Sequence, residues 1–149
     1  RSFGPSRGLL YGGSDYVAKA NDTVMAIPMI ETAEAVERID EILAVDGIDM
    51  IYVGPNDLAF ALEGHVGQPR SKSESAINRV IEAARRRGVP VGIFCSDAQD
   101  ARARREQGCA LVTPGNDFAH LTRSLAKAVQ ALAVDPEVAP DSAQAAHGY

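Results

Sequence analysis

Two acidic residues stand where apolar segments end. Glu31 closes Ala26-Ile27-Pro28-Met29-Ile30-Glu31-Thr32, and Asp57 follows Met50-Ile51-Tyr52-Val53-Gly54-Pro55-Asn56. A carboxylate at the rim of a core costs desolvation unless something pairs with it. On neighbouring parallel strands the two tips would face one opening, where a divalent cation could bridge them. A plainer reading is open for each residue. Glu31 suits the first turn of a following helix, where the dipole favours an acid, and Asp57 suits a turn or cap after Gly54-Pro55. Asp97 and Asp117 read as helix caps.

The other chemistry-bearing residues are scattered. Cys95 and Cys109 have neither zinc-ligand spacing nor a disulfide framework, and read as two reduced small hydrophobes. His65 falls in a Gly-flanked loop, His120 in an amphipathic helix and His147 in a loose tail, none with a partner at ligand spacing. Arg85-Arg86-Arg87 is the one basic run and suits the last turn of a helix. The 15 Lys and Arg against 20 Asp and Glu leave a net charge of -5 with no basic stripe, so no nucleic acid partner is expected. No apolar run reaches the roughly 18 residues of a membrane span and no signal-peptide pattern is present. The expectation is no membrane partner and a cytosolic location.

The elements that must carry these residues alternate. At 149 residues, 46% hydrophobic and 23% charged, the chain fits one globular domain. Residues 1–13 read as irregular, followed by a short helix over about 15–20 and a strand over 24–30. A helix over 33–45 buries Val36, Ile39, Ile42 and Leu43 and stops at Gly47. The strand 50–53 leads into a long loop through Gly64, Gly67 and Pro69. Ser71 with Glu74 reads as a capping box opening a helix that buries Ile77, Val80, Ile81 and Ala84 and ends at Gly88. A strand over 89–94, a helix from Asp97 to about Gln107 and a strand over 110–113 follow. The last helix starts near Asp117, with Phe118, Leu121, Leu125, Ala128 and Leu132 at helical spacing. Residues 134–149, rich in Pro, Asp, Ala and Ser, are expected to be a disordered tail.

Four strands each followed by a helix imply a parallel α/β sheet with right-handed crossovers. The short, mostly apolar strands suggest burial on both faces. Chemistry in such sheets gathers at the C-terminal strand ends, in open sheets and barrels alike. Here those ends carry Glu31-Thr32, Gly54-Pro55-Asn56-Asp57, Cys95-Ser96-Asp97 and Pro114-Gly115-Asn116-Asp117, whereas the opposite ends carry the helix stops Gly47, Gly88 and Gly108.

The segments IPMIETAEAVERIDEILAVDGIDMIYVGPNDLA, GVPVGIFCSD and GCALVTPGND resemble the HpcH/HpaI family of metal-dependent aldolases, from about Arg7 to Leu132. The Ile-Glu-Thr at 30–32 and the Gly-Pro-x-Asp-Leu at 54–58, in this order with a helix between, carry the resemblance. It implies a class II aldolase, a carbon–carbon lyase that cleaves a 4-hydroxy-2-oxo acid or 2-keto-3-deoxy sugar acid to pyruvate and an aldehyde. By the same resemblance, Glu31 and Asp57 are the carboxylate ligands of a Mg²⁺ or Mn²⁺ ion. The amides of Asn56 and Asp57 would hold the pyruvate carboxylate, and Phe94 would wall the substrate pocket. Arg7-Gly8 matches an Arg-Gly pair without an assigned role. A homo-oligomer, hexameric in the family, is implied, with the last helix packing on a neighbouring subunit. The alternatives are an acyl-CoA lyase like the β-subunit of citrate lyase, or a catalytically incomplete half-barrel.

The chain departs from the family pattern in three ways. Met29 stands where the family often has Gln, and reads as core. The segment between Arg7-Gly8 and Asp15-Tyr16 is short. The family fold is a (β/α)8 TIM barrel of at least about 200 residues, and this chain holds only about the last four βα units, over 1–133. The half not matched carries the family's catalytic His and an Arg for the keto oxygen, so no catalytic residue is identified here. The chain is expected to be a fragment of a longer product or a half-barrel that pairs with another.

Overall fold

The computed structural model describes residues 6–132; His147 and the expected tail at 134–149 lie outside them. The chain divides after Pro114 into two units. The first contains a four-stranded parallel sheet of β1 (Met29–Ile30), β2 (Ile51–Val53), β3 (Val91–Cys95) and β4 (Leu111–Pro114), in the spatial order β1-β2-β3-β4. A doubly wound sheet reverses its strand order at a switch point. Strictly sequential parallel strands instead make an arc of a barrel, as expected for part of a (β/α)8 fold.

Alternate residues of the strands face opposite ways. Ile30, Ile51, Val53, Val91, Ile93 and Cys95 point to one side and are each 4% exposed or less. The helices cover that side. Among them, α3 (Ala33–Glu37) supplies Val36, α4 (Ile39–Ile42) supplies Ile39, and α6 (Ser71–Arg87) supplies Ala76, Ile77, Val80, Ala83 and Ala84. Gly88 closes α6 at φ 69°, a conformation that glycine adopts without a Cβ penalty. The other side of the sheet carries Met29, Leu111 and the half-buried Tyr52 and Phe94; Met29 is 52% exposed and Leu111 39%. The sheet is therefore buried on one face, not both. The four strands curve too little of a barrel to cover their own inner side.

Several elements differ from the sequence reading. The segment 24–30 is a strand only at Met29–Ile30, because Pro28 has no N–H to give. Its flank is still anchored: the Asp49 N–H donates to the Ala26 carbonyl at 3.1 Å and the Ala26 N–H to Asp49 Oδ2 at 2.7 Å. The helix expected over 33–45 breaks at Arg38, whose guanidinium joins Glu34 at 3.2 Å and Glu41 at 3.0 Å. Thr32 caps it, its Oγ1 accepting the Ala35 N–H at 3.1 Å. Residues 1–13, read as irregular, contain α1 (Ser6–Gly12), which precedes α2 (Tyr16–Thr23).

The loop expected after β2 holds a helix, α5 (Pro55–Glu63), with Pro55 in its first turn and Gly64 closing it at φ 80°. The Ser71–Glu74 capping box does not form. Glu63, at the end of α5, instead reaches the start of α6, its Oε1 accepting the Lys72 and Ser73 N–H groups at 2.7 and 3.1 Å. Glu74 is occupied elsewhere: it takes Arg104 of α7 (Ala98–Glu106) in a two-pronged pair at 2.7 and 3.0 Å. The Asp97 cap is present, accepting the Gln99 and Asp100 N–H groups at 2.9 Å each.

The second unit is the helix α8 (Asp117–Leu132). Its cap is Asn116, whose Oδ1 accepts the Ala119 N–H at 2.8 Å, whereas Asp117 accepts only the adjacent Phe118 N–H. The expected apolar repeat is helical, but none of its residues is buried.

Candidate metal centre

The register builds the site in two layers. Ile30 pairs with Val53, Val53 with Ile93 and Ile93 with Val112. The residues one step beyond, on the uncovered side, are Glu31, Gly54, Phe94 and Thr113. Two residues back lie Met29, Tyr52, Gly92 and Leu111, directly paired in that order. In a parallel barrel the inward side chains stack in layers, each contributed by alternate strands.

Glu31 leans on Gly54. A Cβ at Gly54 would sit 3.2 Å from Glu31 Oε2 and 3.3 Å from its Cβ, so the absent side chain makes room for the carboxylate. The Gly54 N–H donates to the Ile30 carbonyl at 3.1 Å, which holds the two strand ends together. Gly54 is also the cap of α5, so Asp57 stands in the first turn of the helix that begins beside Glu31. The carbonyl of Gly54 takes the Leu58 N–H at 3.0 Å, the first bond of that helix. The Asn56 and Asp57 amides precede it and have no acceptor within the helix. Both residues are exposed, and Glu31 is half-buried.

Met29, Tyr52, Gly54, Pro55, Asn56, Asp57 and Phe94 line a cleft of about 270 Å³. Three of the four residues singled out from the sequence, Asn56, Asp57 and Phe94, share this cleft. Glu31 is not in its lining and sits at its Gly54 edge. Met29, read as core, is a wall of the cleft instead, because its side of the sheet has no cover. Tyr52 was not singled out. Its position opposite Met29 in an alternating strand was the signal that could have found it. Arg7 is exposed on α1.

The donor set suits a hard cation. Glu31 and Asp57 offer only carboxylate oxygens, the ligands that Mg²⁺ and Mn²⁺ prefer. No group of three or more His, Cys, Asp and Glu able to hold a metal occurs among the described residues. The remaining positions on such an ion would fall to water or to a chelating ligand. The cysteines are not candidates: both are buried and free. Burial, then the charge of Asp100, pushes the Cys95 thiol up to about 11, and burial raises Cys109 too. No helix among the described residues is long and apolar enough to cross a membrane.

A family model described as HpcH/HpaI aldolase/citrate lyase matches residues 6–124. A hydroxypyruvate/pyruvate aldolase of Rhizorhabdus wittichii is 47% identical over 125 residues, covering 82% of this chain and 49% of that protein. A 5-keto-4-deoxy-D-glucarate aldolase of Klebsiella pneumoniae is 35% identical, again over 82% of this chain and 49% of the relative. Among solved structures, an HpcH/HpaI aldolase/citrate lyase family protein from Burkholderia cenocepacia superposes with a TM-score of 0.74 at 38% identity, covering 89% of this chain and 52% of that one. The chain spans about half the length of the curated relatives it matches.

Proposed function

The chain belongs to the HpcH/HpaI aldolase/citrate lyase family, and from that premise we propose that it is the metal-holding half of a class II aldolase. The reaction is cleavage of a 4-hydroxy-2-oxo acid or 2-keto-3-deoxy sugar acid to pyruvate and an aldehyde. What supports it most is the seat of Glu31 against Gly54, the residue from which the helix bearing Asp57 starts. Relatives named as aldolases, at 47% and 35% identity, support the aldolase reading over the citrate lyase one.

In this reading Glu31 and Asp57 would hold a Mg²⁺ or Mn²⁺ ion, which would supply Lewis acidity when bound. The amides of Asn56 and Asp57 receive the carboxylate of the 2-oxo acid, with the positive end of α5 behind them. Phe94 and Met29 present apolar walls that keep water from the acid's other end. The proton-moving residue of the reaction is supplied by the half of the barrel that this chain does not contain. Assembly into a homo-oligomer of the family's hexameric kind, in the cytosol, completes the reading.

The test begins with Mn²⁺ uptake by the chain, read by the relaxation of water protons. Glu31→Gln with Asp57→Asn should weaken uptake by at least about tenfold, as loss of charged ligands does. The second measurement is pyruvate formation by this chain joined to the N-terminal half of the Rhizorhabdus wittichii relative. Metal-dependent activity that the double substitution removes is the expected result. Uptake unchanged in the double variant would overturn the metal assignment, and inactivity of the joined protein with either metal would overturn the aldolase.

A further inference from the structure

Tyr52 reaches past its neighbouring strand. It belongs to β2, yet its hydroxyl hydrogen-bonds Thr113 Oγ1 on β4, two strands away. To get there the ring crosses β3 at Gly92. A Cβ at Gly92 would lie 2.6 Å from Tyr52 Cδ2 and 3.2 Å from Cε2, so only a glycine leaves space for the ring. The result is an aromatic plate lying across the strands, pinned at its far end by a hydroxyl. Its other face looks into the cleft that Asn56, Asp57, Met29 and Phe94 line.

The cleft is chemically lopsided. Its lining combines the carboxylate of Asp57 and the amides at the start of α5 with the apolar surfaces of Met29, Phe94 and the Tyr52 plate. A small anion with a short apolar tail suits both kinds of surface, and the plate bounds the space for the tail on the side of the sheet. We propose that Tyr52, held over Gly92 and tied to Thr113, is the specificity-determining residue that restricts this site to 2-oxo acids with the shortest carbon chain. The inference rests on the aldolase reading and deepens it. The plate has no freedom to retreat, because the β3 backbone lies beneath it.

The experiment measures, by calorimetry with Mn²⁺ present, the affinities of pyruvate, 2-oxobutanoate and 2-oxopentanoate for the full chain and its variants. In the parent each added methylene should cost about tenfold or more, the scale for a shape-limited apolar pocket. Tyr52→Ala removes the plate and should reduce that ratio to about threefold or less. Gly92→Ala pushes the ring upward and should raise it. Opposite signs at two paired residues are not what general loosening of the fold produces. The tether is read separately from thermal unfolding. Tyr52→Phe and Thr113→Val should each lower Tm by about 3–6 °C, with the double variant no lower than the worse single. Additive shifts would overturn the tether. A parent that discriminates but keeps its ratio in Tyr52→Ala would overturn the selecting role alone. A parent that takes up Mn²⁺ but binds none of the three acids would overturn this inference, whereas the aldolase reading stands or falls on the activity of the joined protein.

Discussion

Alternate residues of the same strands live under opposite conditions. Ile51, Val53, Val91 and Ile93 are sealed beneath helices, whereas Met29, Tyr52, Phe94 and Leu111, one step away in each strand, look out on open space. The covered face is apolar throughout and packs on Ile39, Leu58, Ile77 and Val80. The uncovered face mixes a thioether, a phenol, two glycines, a threonine and a carboxylate. Folding needs the first composition, since burying polar groups without partners is costly. The second contributes little to a core and is free to serve a ligand. One face stabilises the sheet, and the other is where its chemistry lies.

The contrast is broken most directly by cutting one large side chain from each face. Ile93→Ala should destabilise the chain by about 2–5 kcal/mol, the usual cost of a cavity in a closed core. Met29→Ala, on the open side, should cost less than about 0.5 kcal/mol. Chemical unfolding with urea measures both, and equal costs would erase the distinction between the faces.

Thiol chemistry sharpens the same line. Cys95 is on the covered face, fully buried, with its thiol pushed up to about 11 from an ordinary 9.0. Native protein at pH 8 should react with iodoacetamide about a hundredfold more slowly than the unfolded chain. Because the folded value is the raised one, this group's contribution to stability is intact below 9.0 and is lost as pH climbs toward about 11. Rapid alkylation of native protein at pH 8 would contradict the burial.

At the rim of the covered face, Arg104 is a buried cation. Its side chain, 10% exposed, is held by Glu74 at 2.7 Å, with its Nε 3.3 Å from Asp100 Oδ1 but not hydrogen-bonded. Glu74→Ala should cost about 1–3 kcal/mol, because it strands that guanidinium. A variant as stable as the parent would show that Asp100 and Gln107 suffice.

The smallest effect is at the start of α6. The Ser73 and Lys72 amides hold the half-buried Glu63 carboxyl below its ordinary 4.5. Its folded-state value being the depressed one, the cap is fully present above pH 4.5 and fades as pH falls through the lower folded value. Melting curves between pH 6 and pH 3 should show a Tm loss that Glu63→Gln reduces. An identical pH profile in the variant would mean that the cap contributes nothing.

Much of this was legible in the sequence. Val36 and Ile39, Ile77 and Val80, and the β-branched strand centres recur at the periods of a buried helix stripe and a strand, and the structure buries them. Asp97 was legible as a cap because its bonds are local. Ser71 and Glu74 failed as a capping box because a partner distant in sequence, Arg104, claims Glu74. α5 was overlooked although Pro55 and Gly64 mark its start and stop. Those same residues also spell a loop, and only the burial of Leu58 and Ala59 decides between them.

The chain's own letters determined the βα rhythm, the family, and the two acids at strand ends, since each depends on residues near one another in sequence. Which face of the sheet stays open, that Met29 and Tyr52 are walls rather than core, and that a phenol on one strand is pinned to a hydroxyl two strands away were decided only in three dimensions. The physical reason is registry: strand pairing sets Ile51 against Val91, 40 positions on, and so brings Tyr52 within reach of Thr113, 61 positions away, and no local pattern encodes which layer each joins.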